Sequence, residues 1–150
     1  MKKMTMIKYC DTLRSMIVRA VGRCQLAGLD GRTCSGPLQD MHIVGRTTWE
    51  LRHDFKHNAI CGCQGHHAFY TYGPQHAWIQ FVSIHFPSKA KFCFSYHAPT
   101  RLKADYTAKA LEMEGHIIYL AGEGLIKHFY SSADAKLMIR ILKGESLCLQ

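Results

Sequence analysis

The spacing of apolar residues predicts an amphipathic helix near the N-terminus, over residues 5–21. Apolar side chains recur there every three or four positions, and charged residues fall mostly on the opposite face. Gly22 is expected to end this helix, because glycine is common at helix C-termini. The apolar set is Met6, Tyr9, Cys10, Leu13, Met16, Ile17, Ala20 and Val21.

The C-terminal half, residues 73–150, is also expected to be mostly helical. The apolar residues of the segment from Pro74 to Phe86 have mixed spacing, and a helix is expected to begin after Pro74. Two later segments have apolar residues at helical spacing, and the last of them starts with a capping pattern of Ser131 followed three residues later by an acid. Proline and glycine give the expected boundaries. These are a start after Pro74 and ends at Pro87, Gly115 and Gly144, with residues 116–130 ambiguous.

A region of different composition lies between the helical segments. Residues 23–37 are rich in Gly, Cys, Asp, Thr and Ser, which is typical of a loop. Residues 38–44 are compatible with a β-strand, and pairing with residues 52–60 would form a two-stranded ribbon followed by a helix near Cys63. We therefore expect an α+β fold, in one domain over residues 1–150.

Composition and charge narrow the class of protein. The chain has 150 residues, of which 47% are hydrophobic and 20% charged, as is usual for a soluble globular protein. No apolar run approaches the roughly 20 residues that cross a bilayer, and no signal peptide is apparent, so a cytoplasmic location and no membrane partner are expected. The 19 Lys and Arg against 11 Asp and Glu give a net charge of +8, which favours a polyanionic partner such as DNA.

Three cysteines and one histidine form two pairs of potential zinc ligands. Cys24 and Cys34 come from the loop, and Cys63 and His66 follow as C-x-x-H. Such a set can form a closed tetrahedral zinc site, although the nine residues between the first two cysteines exceed the usual spacing. Two alternatives remain: Cys61 replaces His66 as the fourth ligand, or these are buried thiols beside a surface histidine.

A second set of polar residues lies between the two ligand pairs and directly after the second pair. It comprises Asp40, His42, Asn58 and His67. On a ribbon and helix, His42 would face His67 with a cation between them, and phosphodiester hydrolysis needs such a base, a metal and a rigid frame. Simpler interpretations are that His42 is a partly buried histidine, that Asn58 is a turn residue, and that His67 replaces His66 on the zinc.

The sequence CSGPLQDMHI over residues 34–43, followed by N-x-x-x-x-C-x-x-H-H from Asn58 to His67, resembles the HNH endonucleases of the ββα-metal (His-Me finger) type that are common in phage genomes. The resemblance covers about residues 22–72. It implies that His42 is the general base, that Asn58 braces the ribbon, and that His67 binds the catalytic ion, Mg²⁺ or another divalent cation. For a phage protein the location would be the host cytoplasm.

The chain departs from the HNH pattern at two positions. His66 stands where the pattern has a second cysteine, and it is still a competent zinc ligand. Met41 separates the acid, Asp40, from the base histidine, although alternation along a strand would turn Asp40 to the same face as His42. Asp40 is thus the expected second ligand of the catalytic ion, with Asp54 or His57 as substitutes.

The sequence therefore predicts a DNA endonuclease that leaves 5′-phosphate and 3′-hydroxyl ends. Arg46 and Arg52 are candidates for phosphate contacts, although a solvated charged loop is an alternative. The competing function is a non-catalytic zinc-containing module that binds nucleic acid. A redox role for the Cys61-Gly-Cys63 pair is less favoured, because the pair lies among metal ligands. The C-terminal third could add DNA contacts or a homodimer surface.

Overall fold

In the computed structural model, residues 3–48, 50–96, 105–126 and 132–145 are described, and these ranges contain six helices and one two-stranded antiparallel sheet. The expected α+β class is confirmed. No helix in the described ranges is long and apolar enough to span a bilayer. The elements are α1 (Lys3–Arg19), β1 (Leu38–His42), β2 (Ala59–Cys63), α2 (Gln64–Tyr72), α3 (Gln75–His85), α4 (Pro87–Phe94), α5 (Tyr106–Gly122) and α6 (Ser132–Leu142).

The chain divides into two compact units. Residues 1–22 and 104–150 form a helical unit, and residues 23–103 form a unit that contains the sheet and α2 to α4. Every residue of the two candidate sites lies in the second unit. The expectation of a single domain is not decided by this division and stays a prediction.

The helical unit is built on the packing of α1 against α5. The predicted N-terminal helix is confirmed, although α1 begins and ends two residues earlier than expected. The Tyr9 hydroxyl donates to Glu114 Oε1 at 2.5 Å, and Arg19 forms an ion pair of 3.1 Å with Asp134 of α6. Buried apolar side chains fill the space between the helices: Leu13, Met16, Ile17, Met113, Ile117 and Ile141.

Helix α5 differs from the sequence expectation at its C-terminal end. Gly115 was expected to stop the helix, but α5 continues to Gly122. A glycine inside a helix costs about 1 kcal/mol relative to alanine, and the buried residues Met113 and Ile117 on either side offset that cost by tertiary packing. The capping residue expected at Ser131 lies outside the described residues.

The sheet is an antiparallel ribbon in which Leu38 pairs with Cys63 and His42 with Ala59. The first strand lies where it was expected, but the second is Ala59–Cys63 and not residues 52–60. The residues before it form a turn that is held by Asp54, whose Oδ1 accepts hydrogen bonds from the backbone amides of Lys56 and His57 at 3.0 and 2.9 Å. An aspartate that bonds the backbone in this way favours a turn over a strand.

Helices α3 and α4 hold the ribbon in place. The expected helix after Pro74 is confirmed and ends at His85, and α4 begins at once with Pro87 in its first turn. Trp78 Nε1 donates to the Ile43 carbonyl at 3.0 Å. Lys89 Nζ donates to the carbonyl of Lys56, in the turn before β2, and to that of Ala59, the first residue of β2. The core beneath comprises Leu26, Met41, Ile43, Ile60, Trp78, Phe81, Val82, Ala90 and Cys93.

Candidate metal centre and the adjoining polar site

Cys24, Cys34, Cys63 and His66 converge on one point. Their ligand atoms all lie within 4.8 Å of one another. Cys63 ends β2 and caps α2, so the turn into the helix directs Cys63 and His66 of the first helical turn to the same side. The two loop cysteines complete the set, as the sequence predicts, and the cluster is compatible with a zinc ion.

The distances inside the cluster agree with tetrahedral coordination. His66 Nδ1 lies 3.5 Å from Cys24 Sγ, 3.8 Å from Cys34 Sγ and 3.0 Å from Cys63 Sγ. A tetrahedral zinc ion with standard zinc–sulfur and zinc–nitrogen bonds would separate each such pair by about 3.6 Å. The four side chains therefore fit a zinc ion with only small adjustments.

The electrostatics of the thiols also favour a cation. Burial acts to raise the pKa of Cys63, but hydrogen bonds from the His66 amide and ring and from the Ser35 amide outweigh it and lower this pKa to about 6. Desolvation, followed by hydrogen bonding and charge from Cys24 and Cys63, raises the pKa of Cys34 to about 11. Three thiolates so close together repel one another, and a bound dication removes that conflict by ionising its thiol ligands.

The backbone of the loop of residues 23–37 is hydrogen-bonded to the start of α2. The amides of Gln64 and Gly65 donate to the carbonyls of Pro37 and Ser35 at 2.9 and 3.0 Å. Gly36 has φ +71°, and a Cβ at this position would lie 2.8 Å from the Cβ of Gln64. The approach of the loop to the start of α2 therefore requires glycine at this position.

Cys61, the alternative fourth ligand, is not part of the cluster. Its backbone pairs with Gln25: the Cys61 amide donates to Gln25 Oε1 and the Gln25 amide donates to the Cys61 carbonyl, both at 2.8 Å. Its side chain is fully buried. Cys61 thus joins the start of the loop to β2, and among the described residues His66 is the fourth member of the cluster.

His42 lies at the end of β1 and is oriented by a backbone carbonyl. Its Nε2 is 3.1 Å from the carbonyl oxygen of Arg52. Because a carbonyl oxygen only accepts hydrogen bonds, Nε2 carries the proton of the neutral ring and Nδ1 is the basic nitrogen.

Asn58 is fully buried and bonds to the backbone on both sides of the segment that follows His42. Its Oδ1 accepts from the Val44 amide at 2.8 Å, and its Nδ2 donates to the carbonyls of Val44 and Leu51 at 3.2 and 2.9 Å. The side chain therefore joins the end of β1 to the residue next to Arg52, which orients His42.

His67, the residue after the cluster ligand, has its own partner on β1. Its Nδ1 lies 2.6 Å from Gln39 Oε1, so Nδ1 donates and Nε2 holds the lone pair. Burial, and then the positive charge of Arg46, lower the pKa of His67. A neutral ring with a lone pair on Nε2 is the form that binds a metal ion.

The position of Asp40 follows from the register of the ribbon. Asp40 and His42 share one face, as expected, while Gln39 alternates to the other face. The β1 side chain in contact with His67 is thus an amide and not an acid, and it lies on the face opposite to His42. The contacts of His67 therefore do not show the expected arrangement in which His42 faces His67 across a cation, and that arrangement stays a prediction. The assignment of Asp40 to a catalytic ion stays a prediction. Its two substitutes contact each other, with His57 Nδ1 2.9 Å from Asp54 Oδ2.

Two residues of these sites were not identified from the sequence. Asp30 Oδ1 lies 3.2 Å from His66 Nε2, on the side of the ring away from the sulfurs, and Gln39 orients His67. Burial acts to lower the pKa of His66, but the hydrogen bonds that its ring donates to Cys63 and Asp30 raise it. The one sequence signal for Asp30 is an acid inside the loop between two ligands, and it is equally typical of an Asp-Gly turn.

Comparison of the chain with protein-family models, with curated proteins and with solved structures finds no match. The resemblance to HNH endonucleases therefore rests on the motifs of this chain alone. Its functional consequences are taken up as proposals.

Proposed function

We propose that the chain is a metal-dependent DNA endonuclease of the HNH type with a structural zinc ion at the Cys24, Cys34, Cys63 and His66 cluster. The reaction is hydrolysis of a phosphodiester bond to 5′-phosphate and 3′-hydroxyl ends. The observation that carries the proposal is the buried side chain of Asn58. It bonds to the backbone at Val44, just after His42, and at Leu51, just before the Arg52 carbonyl that contacts His42. That is the bracing role that the resemblance assigns to this asparagine.

His42 is proposed as the general base. Nε2 of His42 donates to the Arg52 carbonyl. Nδ1 can then take a proton from a water molecule while the water oxygen attacks phosphorus. The bond from phosphorus to the 3′ oxygen breaks, and the leaving oxygen takes a proton from solvent. The carbonyl contact fixes the ring and its tautomer, so no reorientation is needed during the reaction.

His67 is proposed to bind the catalytic divalent cation through Nε2. The hydrogen bond from Nδ1 to Gln39 fixes the ring, as the outer partners of metal-binding histidines commonly do. When bound, the cation would offset the negative charge that develops on the phosphate. Asp40 is the proposed second ligand, and because it lies on the face of β1 opposite to Gln39, the ribbon would have to rearrange for it to reach an ion at His67.

The charge of the chain supports DNA as the substrate. The net charge of +8 favours a polyanion, and the charge of Arg46 acts on His67, so a phosphate at His67 would meet this guanidinium. Arg46 is exposed, as a residue that contacts phosphates must be, while Arg52 is only partly exposed.

The experiment is cleavage of supercoiled plasmid DNA by the zinc-loaded protein with Mg²⁺ or Mn²⁺. Wild-type protein is expected to nick or cut the plasmid, and His42→Ala is expected to lower the rate at least about 100-fold, as for loss of a general base. His76→Ala is the matched control, because His76 is an exposed histidine on α3. Equal cutting by the His42 and His76 variants would reject the assignment of the base.

A second candidate function is a zinc-containing nucleic-acid-binding module without catalysis. It is favoured by the neutral amide of Gln39, because a hard divalent cation prefers a carboxylate beside the histidine. This function predicts that the protein retains DNA, with salt-dependent affinity, but cleaves none in Mg²⁺, Mn²⁺ or Ni²⁺.

A further inference from the structure

Asp30 faces the one histidine of the cysteine and histidine cluster. Its Oδ1 lies 3.2 Å from Nε2 of His66, whose other ring nitrogen, Nδ1, faces the three sulfurs. The His66 side chain is fully buried and that of Asp30 is 9% exposed. The imidazole thus lies between a carboxylate and the cluster, with one nitrogen directed to each.

The carboxylate is held by groups other than His66. Oδ1 accepts the backbone amide of Arg32 at 3.0 Å, and Oδ2 accepts the Tyr70 hydroxyl at 2.9 Å. Tyr70 lies four residues after His66 on α2, so the two side chains share one face of the helix. The Arg32 guanidinium also stacks on the Phe69 ring, 3.2 Å from its centroid. Asp30 is therefore oriented before it meets the imidazole.

A histidine ligand needs its proton on the ring nitrogen that faces away from the metal, and a cysteine ligand has no such requirement. A thiolate can bind zinc in any rotation about its Cβ–Sγ bond, but a neutral imidazole binds only through the nitrogen without a proton. A carboxylate at Nε2 keeps the proton there, and it also makes Nδ1 a stronger donor to the metal.

We propose that Asp30 is the positioning residue that makes His66 an effective fourth ligand of the metal centre. The inference rests on the zinc part of the proposed function and does not depend on DNA cleavage. Asp30 does not touch the metal; it acts through the imidazole. Its contribution should therefore exist only while residue 66 is a histidine.

The experiment is a double-mutant cycle on the full chain, with zinc affinity measured by competition with a chromophoric chelator. Asp30→Asn keeps an oxygen for the Arg32 amide and removes the charge that faces His66. In the wild-type background it is expected to weaken zinc binding at least about tenfold. In the His66→Cys background it is expected to change the affinity less than about threefold.

The matched control is Asp105→Asn, because Asp105 also accepts a backbone amide, that of Ala108, but belongs to the helical unit and has no role at either candidate site. It is expected to leave zinc affinity unchanged. Equal losses from Asp30→Asn in both backgrounds would show a purely structural role in the loop and overturn the proposal, as would no loss in either.

A second measurement keeps the proposal open to refutation if His66→Cys does not fold. Nitrogen-15 NMR of the zinc-loaded protein should show the His66 proton on Nε2, exchanging slowly in wild type and at least about tenfold faster in Asp30→Asn. Slow exchange in both proteins would overturn the proposal. Failure of wild-type protein to bind zinc would overturn both the inference and the zinc part of the proposed function, whereas a negative plasmid assay would affect only the nuclease.

Discussion

At the scale of single residues, Asn58 is the side chain with the largest expected effect on stability. It is fully buried, and its hydrogen bonds satisfy the Val44 amide and the carbonyls of Val44 and Leu51. Asn58→Ala leaves these groups without that partner, and one unsatisfied buried group costs about 1–3 kcal/mol. We expect the free energy of unfolding in denaturant to fall by about 2–3 kcal/mol, and DNA cleavage to be lost with the frame around His42.

Ser83→Ala is the control for that measurement. Ser83 is exposed on α3, and its hydroxyl donates only to the Ile79 carbonyl of its own helix. The change should stay within about 0.5 kcal/mol. A similarly small change for Asn58→Ala would mean that the ribbon does not depend on this side chain.

The four residues of the candidate metal centre could be identified from the sequence because metal binding restricts the residue types. Cysteine and histidine in two pairs predict a zinc cluster whatever the surrounding fold. Asp30 and Gln39 carry no such signal, since carboxylates and amides occur in most loops and strands. Their roles depend on a hydrogen bond to one nitrogen of a particular ring, and that geometry is set by tertiary packing.

At the scale of elements, the contact between the loop and α2 can be tested through two glycines. Gly36 and Gly28 both have positive φ, +71° and +76°, but only at Gly36 would a Cβ meet another residue, Gln64. The left-handed conformation alone costs alanine roughly 1–2 kcal/mol. We expect Gly28→Ala to lose about that much stability and Gly36→Ala to lose at least about 1 kcal/mol more, with weaker zinc binding.

The measurement is the denaturant midpoint of the zinc-loaded variants together with their zinc affinity. Gly28→Ala serves as the control for backbone strain, so the difference between the two variants reports on the close approach. Equal losses of stability and unchanged zinc affinity would contradict a tight contact at Gly36.

Periodicity located α1 and parts of α5 and α6 because each has one buried face. α1 follows the 3.6-residue pattern, whereas α3 was placed by the prolines on either side of it, and both predicted ranges differ from the structure by at most two residues. Helix α4 was not predicted. The second strand was misplaced because Ala59–Cys63 is buried along its whole length and shows no alternation. The end predicted at Gly115 is wrong because a local propensity does not reveal the packing that keeps α5 helical.

At the scale of the whole molecule, the two units differ in what holds them together. The helical unit has apolar side chains buried between α1 and α5, and it contains none of the four cluster residues. In residues 23–37, all of which the structure describes, Leu26 is the one residue that is buried as a whole. A segment with so little buried apolar surface cannot offset the entropy of ordering its backbone without another source of stability, and a metal ion provides one.

Removal of the metal should therefore affect the chain unevenly. After treatment with a strong zinc chelator, we expect hydrogen exchange to accelerate at least about tenfold across the loop, β2 and α2, because Cys63 and His66 lose the ion that they share. The amides of α1 and α5 are expected to keep their protection and so act as an internal reference within the same sample. Adding zinc back should restore protection of residues 59–72, since binding energy at a structural site is also folding energy. Unchanged exchange in α2 after verified metal removal would mean that apolar packing against the ribbon is sufficient, and that the cluster binds a metal without stabilising the fold.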